Sequence, residues 1–326
     1  MIERRSRGVS TVVDVTFALL LVSASIGVLA ITLTDDEPAH DPVQADRTAE
    51  TLAAATKSVN YSVESVNGEP EFTNDGYDFE RSTHGTLTGL LADAAVTNAS
   101  FPDGGGSTAY APDSSTYLTK VGDDFEVAVD GAVRQALTSA GGDAHVVAVW
   151  RPYRDSDIEG RVEAGAEPPA GVDTSTATMT VPSKMPSLDE AEIERAFRLD
   201  QYTGVSRLIA GAIVEGYFPP TETQLALEGN GLGRALTVYR YQRMAKLVDH
   251  GGFNTDPSIG GSTARPVSRT QADAATANSQ LQSRLQSTIH EELTTKYPSP
   301  SSADPEEVAS AVSVGEVKIT VTTWNE

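Results

Sequence analysis

The residues that could do chemistry in this 326-residue chain are few and widely separated. There is no cysteine, which excludes disulfides, iron–sulfur clusters and thiol catalysis. No two of the five histidines have the spacing of zinc ligands, and His290-Glu291-Glu292 lacks the second histidine of a metalloprotease helix. His145 opens an apolar run, so we expect it at the end of a strand rather than in a metal site.

Glycine-rich and acidic stretches give no clear site either. Gly229-Asn230-Gly231-Leu232-Gly233 superficially resembles a phosphate loop, but a helical pattern precedes it where a nucleotide fingerprint needs a strand. It is therefore predicted to join two helices. The acids of Asp123-Asp124 and Asp155-Ser156-Asp157 do not match an EF-hand loop and are expected on the solvated surface. We predict a non-enzymatic chain, with no catalytic, cofactor or metal residues assigned.

Two sequons for N-glycosylation are present, at Asn60 and Asn98. Each asparagine is followed two residues later by serine, at Ser62 and Ser100. Modification at either position requires an exposed loop on the outer side of a membrane.

The first 34 residues read as a membrane anchor. Val12 to Leu33 is a run of twenty-two residues with one charge, Asp14, and a helix of that length crosses a bilayer core. Arginines precede the run and acids follow it, so the positive-inside rule predicts a cytoplasmic N-terminus and an extracellular remainder. The flanking charges are Arg4, Arg5 and Arg7 before the run, and Asp35, Asp36 and Glu37 after it.

Three interpretations of this segment were compared. A cleaved secretory signal has a shorter apolar region, and Ile31-Thr32-Leu33 is a poor small-residue cleavage site. An uncleaved signal anchor is the simplest alternative. The third depends on Arg7-Gly8-Val9, a basic residue and a glycine close before the apolar helix.

This arrangement resembles the class III signal of archaeal type IV pilins and pilin-like proteins. The resemblance implies that a prepilin peptidase cuts between Gly8 and Val9, that the helix stays on the mature protein, and that other pilin-like subunits are partners. The chain departs from the family at Val13, where many pilins have a glutamate, and at Thr11, where many halophilic pilins have proline. Asp14 therefore has two interpretations, an acid at the headgroup level or a residue that sets subunit register.

Composition narrows the partners further. The net charge of −22 excludes nucleic-acid binding, which needs a basic surface, and disfavours lying flat on anionic lipid. Six lysines against eighteen arginines, with abundant acids, resemble the composition of proteins from extreme halophiles. A haloarchaeal source is expected, in which molar salt screens the repulsion between carboxylates.

Periodicity after the anchor predicts an α+β domain, with several helices packed on a small sheet. The boundaries are 1–34 for the basic segment and transmembrane helix, 35–44 for an acidic linker with prolines, and 45–326 for the acidic extracellular domain. Helices are predicted at 47–59, 83–97, 122–139 and through most of 186–296, where Ser187, Thr221 and Ser268 each begin a capping-box pattern. Strands are predicted at 145–150, 176–181 and 316–324, residues 60–80 as a hairpin or loop, and 151–173 as an exposed loop.

These expectations favour a pilin-like or accessory surface subunit of an archaeal type IV pilus-like or secretion assembly. The main alternative is an uncleaved, signal-anchored binding or sensing module. An anchored enzyme whose site is scattered along the chain is the third class.

Overall fold

The computed structural model describes residues 43–69, 71–72, 76–101, 117–118, 121–140, 143–248 and 272–324. Helices form 54% and strands 23% of these residues, so the fold is mixed α and β with small sheets, as predicted. The predicted anchor and most of the linker lie outside the described residues. In the ranges given above, no helix combines the length and apolar character needed to cross a bilayer.

A five-stranded antiparallel sheet lies at the centre of the fold, in the order β3–β5–β4–β7–β6. The C-terminal strand β7 pairs with β4 on one side and β6 on the other, so it lies beside both strands that the sequence offered as neighbours. The strands are β3 (Ala99–Ser100), β4 (Asp143–Trp150), β5 (Glu159–Gly165), β6 (Thr174–Pro182) and β7 (Glu316–Trp324).

One face of this sheet is buried because its strands alternate small or apolar residues with polar ones. Val317, Ile319 and Val321 of β7 are fully buried, and Val146 and Ala148 lie opposite them in the same face. The indole of Trp150 closes one end of the face and donates a hydrogen bond from Nε1 to the carbonyl of Val314 at 2.8 Å.

Three helices cover this face. Phe125, Val129, Val133 and Leu137 recur every four residues and are all buried, which confirms the helix predicted at 122–139. The helices are α1 (Gln44–Ala54), α2 (Leu87–Thr97) and α3 (Gly122–Ala140).

A second group of helices lies beyond the Trp150 end of the sheet. The long helix α4 packs along α7 and α8. It bends at Asp200 and Gln201, whose backbone angles are not helical. The group comprises α4 (Glu190–Tyr217), α5 (Pro220–Glu228), α6 (Gly231–Val248), α7 (Ala274–Lys296) and α8 (Pro305–Ser310).

A separate two-stranded hairpin lies between the helices that cover the sheet and the second group of helices. Strands β1 (Thr56–Ser62) and β2 (Glu80–Thr86) pair antiparallel, with a short 3₁₀ helix (Glu64–Val66) after β1. Residues from this hairpin region form a small apolar cluster with α6 and Val121, beside the main core. Its members are Val63, Val66, Phe72, Val121, Leu232, Ala235 and Tyr239.

Several boundaries differ from the predictions. The helix predicted at 47–59 ends at Ala54, and the helix predicted from Thr83 begins at Leu87, because both flanking segments pair in the hairpin. The prediction of an exposed loop over 151–173 is wrong, since β5 lies within it and pairs with β4.

The predicted helix caps also differ. Asp189 caps α4 in place of Ser187, and its carboxylate accepts hydrogen bonds from the amides of Ala191 and Glu192. Helix α5 begins at Pro220 without a side-chain cap, and Asp273 caps α7. Ser268 lies outside the described residues.

Candidate functional site

A cavity of about 390 Å³ lies where the small hairpin cluster meets the main core. Its walls come from β1, β2, α2, α3, the segment after β6, the end of α4, and α6. Much of the lining is apolar or aromatic, and the rings of Tyr61 and Phe125 contact each other with centroids 4.8 Å apart. A cavity of this size and character suits a small organic molecule.

Arg240 of α6 lines this cavity and contributes a guanidinium cation to it. Its Nη2 donates a hydrogen bond to the carbonyl of Tyr217 at 3.2 Å, and its Cζ lies 5.6 Å from the centroid of the Phe218 ring. Because Tyr217 ends α4, the guanidinium caps a helix C-terminus, where a positive charge is favourable. Burial lowers the pKa of Arg240, but an arginine keeps its proton at neutral pH.

The end of α4 beside Arg240 is held firmly by its neighbours. The Tyr217 hydroxyl donates to the carbonyl of Val96 at 2.8 Å, and the Asn278 amide donates to the carbonyl of Phe218 at 2.9 Å. The Phe218 ring stacks on Tyr241 at 3.9 Å. Arg240 is therefore positioned by contacts with α2, α4 and α7.

An ion pair lies at another part of the cavity wall. Lys184 Nζ is 2.5 Å from the Asp93 carboxylate, and the Lys184 side chain is 70% exposed. The Lys184 backbone is left-handed, with φ of 62°. A Cβ on Gly216 would lie 2.3 Å from the Met185 sulfur. Glycine at this position of α4 therefore allows the segment after β6 that contains Met185 to approach the helix closely.

The charge of the lining differs from that of the whole chain. Among the described residues that line the cavity, Arg240 and Lys184 are cations and Asp93 is the one carboxylate, so this lining carries one net positive charge in a chain of net charge −22. Burial raises the pKa values of Tyr61 and Tyr217, which therefore stay neutral. The cavity thus combines an apolar wall with a site that favours a single negative charge.

A second polar cluster fixes α7 to the segment between β4 and β5. Glu292 is 9% exposed, and its Oε1 accepts hydrogen bonds from the Asp157 amide at 2.6 Å and from Lys296 Nζ at 3.0 Å. Burial and then the charge of Glu292 raise the pKa of the buried Tyr153 hydroxyl. Burial alone would lower the pKa of Lys296, but hydrogen bonds to Asp157 and Glu292 outweigh it and raise that pKa.

Asp157, which the sequence analysis predicted to lie on the surface, belongs to this cluster. Its carboxylate pairs with Lys296 at 2.5 Å and remains 54% exposed. An ammonium already neutralises it, which explains its place without a metal ion.

A shallow acidic groove runs between α3 and the β4–β5 edge. Burial, followed by the charges of Asp123 and Asp130, raises the pKa of Glu126 against the opposing effect of its hydrogen bonds. His145 near the start of β4 pairs with Glu163 at 3.3 Å, consistent with its predicted place in a strand. Across the described part of the chain, no three His, Asp or Glu side chains are grouped to hold a metal ion.

Of the sequence-predicted site residues, the structure describes Asn60 and Asn98, and neither lines the cavity. Arg7, Gly8, Val9 and Asp14 lie outside the described residues, so the structure neither supports nor opposes their roles.

The two sequons differ in exposure. Asn60 is exposed on β1, whereas Asn98 is 5% exposed and donates a hydrogen bond to the Glu126 carboxylate at 2.5 Å. Asn98 therefore does not meet the condition of exposure that modification requires. Its amide is enclosed in the folded domain.

Sequence reasoning missed the residues that line the cavity. Arg240 lies in Tyr239-Arg240-Tyr241, but consecutive residues of a helix point in different directions, so the triplet does not indicate a site. Its contacts come from the end of α4, and Asp93 and Lys184 come from two further segments. No local spacing connects these three residues.

Residues 13–324 match the model of a family of unknown function, DUF7284. The chain belongs to this family. The DUF7284 match covers all of the described residues, which lie between 43 and 324 and together are called the head. It begins inside the apolar run that starts at Val12. Neither the curated proteins nor the solved structures that were compared with the chain gave a match.

Proposed function

We propose that this DUF7284 chain is a non-enzymatic, pilin-like or accessory surface subunit, held in the membrane by its N-terminal helix with the α+β head outside. The observation that carries the proposal is Arg7-Gly8-Val9 just before the apolar run from Val12 to Leu33. Its partners would be the membrane, a prepilin peptidase and other pilin-like subunits, and its acidity argues against nucleic acid.

The family match adds support for a retained helix. It covers Val13 to Leu33 together with the head, so the apolar run is part of what defines the family. A retained anchor is expected to belong to the family together with the domain that it holds.

The start of the head is consistent with a short tether. Helix α1 begins at Gln44 and buries Ala45, Ala49 and Leu52, packing near β6 and β7. Only ten residues separate Leu33 from Gln44, and a fully extended chain of that length reaches about 35 Å. A head on such a tether stays close to the membrane surface and to neighbouring subunits.

The mass of the N-terminal peptide tests this proposal. Protein isolated from native membranes should begin at Val9, and the variant Gly8→Val should keep Met1 because a branched side chain at the cut bond obstructs the peptidase. Gly27→Ala, a glycine change inside the apolar run, should leave processing unchanged. Wild-type protein that keeps Met1, or that is cut after Leu33, would contradict pilin-type processing.

The cavity favours a second candidate function, an uncleaved anchored module that binds or senses a ligand. An apolar pocket with a net positive lining is unusual in so acidic a chain and is suited to a small anionic molecule. Retention of Met1 together with saturable ligand binding would favour this function over the first.

A further inference from the structure

The guanidinium of Arg240 has more hydrogen-bond donors than the described protein uses. An arginine carries five N–H donors, and within the described residues only the hydrogen bond to the carbonyl of Tyr217 satisfies any of them. The phenol groups that influence its pKa, Tyr217, Tyr241 and Tyr61, are neutral near pH 7, and within the described residues no carboxylate forms an ion pair with it. The remaining donors are free to bind an acceptor that enters the cavity.

A purely structural role explains only part of this arrangement. Capping the end of α4 needs one donor, and the contact with the Phe218 ring uses the face of the guanidinium rather than its N–H groups. The planar fork of an arginine matches a carboxylate, with two parallel hydrogen bonds. The leftover donors are therefore of the type and geometry that recognise an anion.

The lining also limits the charge of that anion. Arg240 and Lys184 together exceed Asp93 by one positive charge, so a monoanion is balanced and a dianion is not. The Asp93 carboxylate, already paired with Lys184 at 2.5 Å, would repel a second negative group. These charges favour a carboxylate with one negative charge over a phosphate dianion.

The rest of the cavity indicates what the ligand carries besides its charge. Tyr61, Phe125 and Tyr217 contribute aromatic surface, with Val96 and Met185 adding aliphatic surface. A volume of about 390 Å³ accommodates a ring or a short chain attached to the anionic group.

We propose that this cavity binds a small organic monocarboxylate with an aromatic or aliphatic body, and that the Arg240 guanidinium binds its carboxylate. The proposal rests on the second candidate function, ligand binding by the head, and it names the class of ligand. It requires no covalent step.

Calorimetric titration of the full chain in lipid nanodiscs tests the proposal. The probes are 4-phenylbutyrate and its uncharged analogue 4-phenylbutanamide, with empty nanodiscs titrated in parallel to subtract partition into lipid. We expect saturable binding of the acid at one site per chain. The affinity for the amide should be lower by about tenfold or more, because a hydrogen-bonded charge pair is lost.

Variants separate the anion site from general stability. Arg240→Gln should weaken acid binding about tenfold and leave amide binding unchanged. The control Arg243→Gln changes an arginine one turn further along α6 that donates to the carbonyl of Tyr117 and does not line the cavity, and it should bind as wild type does.

A second pair of variants keeps the test decisive if loss of the α4 cap unfolds Arg240→Gln. Thr83→Trp fills the cavity from β2 and should abolish binding of both probes, whereas Ser82→Trp, at an exposed neighbouring position, should not. Circular dichroism of each variant establishes that it is folded.

Three results would overturn the proposal: equal affinity for acid and amide, wild-type acid affinity in folded Arg240→Gln, or no saturable binding of the acid up to about 10 mM. Processing is read independently. A chain that begins at Val9 and binds neither probe refutes the ligand class alone, and one that binds the acid but keeps Met1 refutes pilin-type processing alone.

Discussion

Replacing Lys296 by methionine should expose how strongly the head depends on one buried carboxylate. Glu292 is 9% exposed, and Lys296 is its only cation among the described residues, at 3.0 Å. The same ammonium also contacts the Asp157 carboxylate at 2.5 Å and the carbonyl of Asp155 at 2.7 Å. Methionine keeps the length of the side chain and removes only the charge and the donors.

The expected loss follows from the burial of the two partners. Removing one member of a fully buried ion pair costs about 3–5 kcal/mol, because the other charge is left in a poor solvent. The Lys296 side chain is 28% exposed and Glu292 7%, so water partly replaces the lost ammonium. We expect a decrease of about 2 kcal/mol in the free energy of unfolding, or roughly 4–8 °C in Tm for a domain of this size.

Thermal unfolding followed by circular dichroism measures this loss. Lys57→Met is the matched control, because within the described residues Lys57 Nζ donates only to the Gln135 side chain, at 3.2 Å on an exposed surface. It should change stability by about 0.5 kcal/mol or less. Adding Glu292→Gln to Lys296→Met should recover part of the loss, since the glutamine oxygen still accepts from the Asp157 amide. A Lys296→Met variant as stable as the control, or a double variant that loses the sum of both single changes, would refute the reasoning.

Three further predictions concern packing, pH and salt. Gly204→Ala should destabilise the head by about 1–3 kcal/mol, because its Cβ would lie 2.4 Å from the carbonyl oxygen of Ala196 at the bend of α4. Gly131→Ala has open space around it in α3 and should stabilise the head by about 0.5–1 kcal/mol. Equal Tm values for the two variants would contradict this prediction. Burial and neighbouring acids raise the pKa of Glu126, so its ionisation costs stability as the pH rises through and above the ordinary carboxyl range. Glu126→Gln should therefore raise Tm at about pH 7 and have little effect near pH 4. A larger gain in Tm at about pH 4 than at pH 7 would show that the direction of the pKa shift is wrong. Because the whole chain has a net charge of −22, the head should unfold at a lower temperature in dilute buffer than in molar salt, and a Tm that does not change across a salt series would count against salt adaptation.

The elements that could be predicted from the sequence are those whose buried residues are large and regularly spaced. The apolar stripes of α3 and α7 and the alternation in β7 each identify one face of the element, and burial follows that face. In these segments local pattern and tertiary packing agree, so the pattern alone is sufficient.

Strand β5 shows where that agreement ends. Its inward residues are Gly160, Val162 and Ala164, mostly too small to stand out against the charged residues between them. They are small because α2 lies close above: a Cβ on Gly160 would be 1.9 Å from the carbonyl oxygen of Ala95. The same close contact that makes β5 part of the core therefore removes the apolar pattern by which a strand is predicted.

The cavity could not be predicted for a related reason. Arg240 and Tyr217 are separated by 23 residues, and their contact depends on how α4, α5 and α6 turn. A cation on a helix is ordinarily interpreted as solvated, and only the tertiary contacts show that this one faces a cavity.

The position of Arg240 also bears on the prediction, made from composition, that the chain is adapted to high salt. Arg134, Arg161 and Arg198 pair with carboxylates at the surface, with side chains at least half exposed. At 1 M salt the screening length is about 3 Å, so exposed pairs of this kind contribute little to attraction or specificity. A cation within a cavity is screened much less, because mobile ions cannot surround it. In a protein that works at molar salt, recognition of a charged ligand should depend on a site like the one around Arg240. Binding of the carboxylate probe there should persist at salt concentrations that abolish binding to the outer surface.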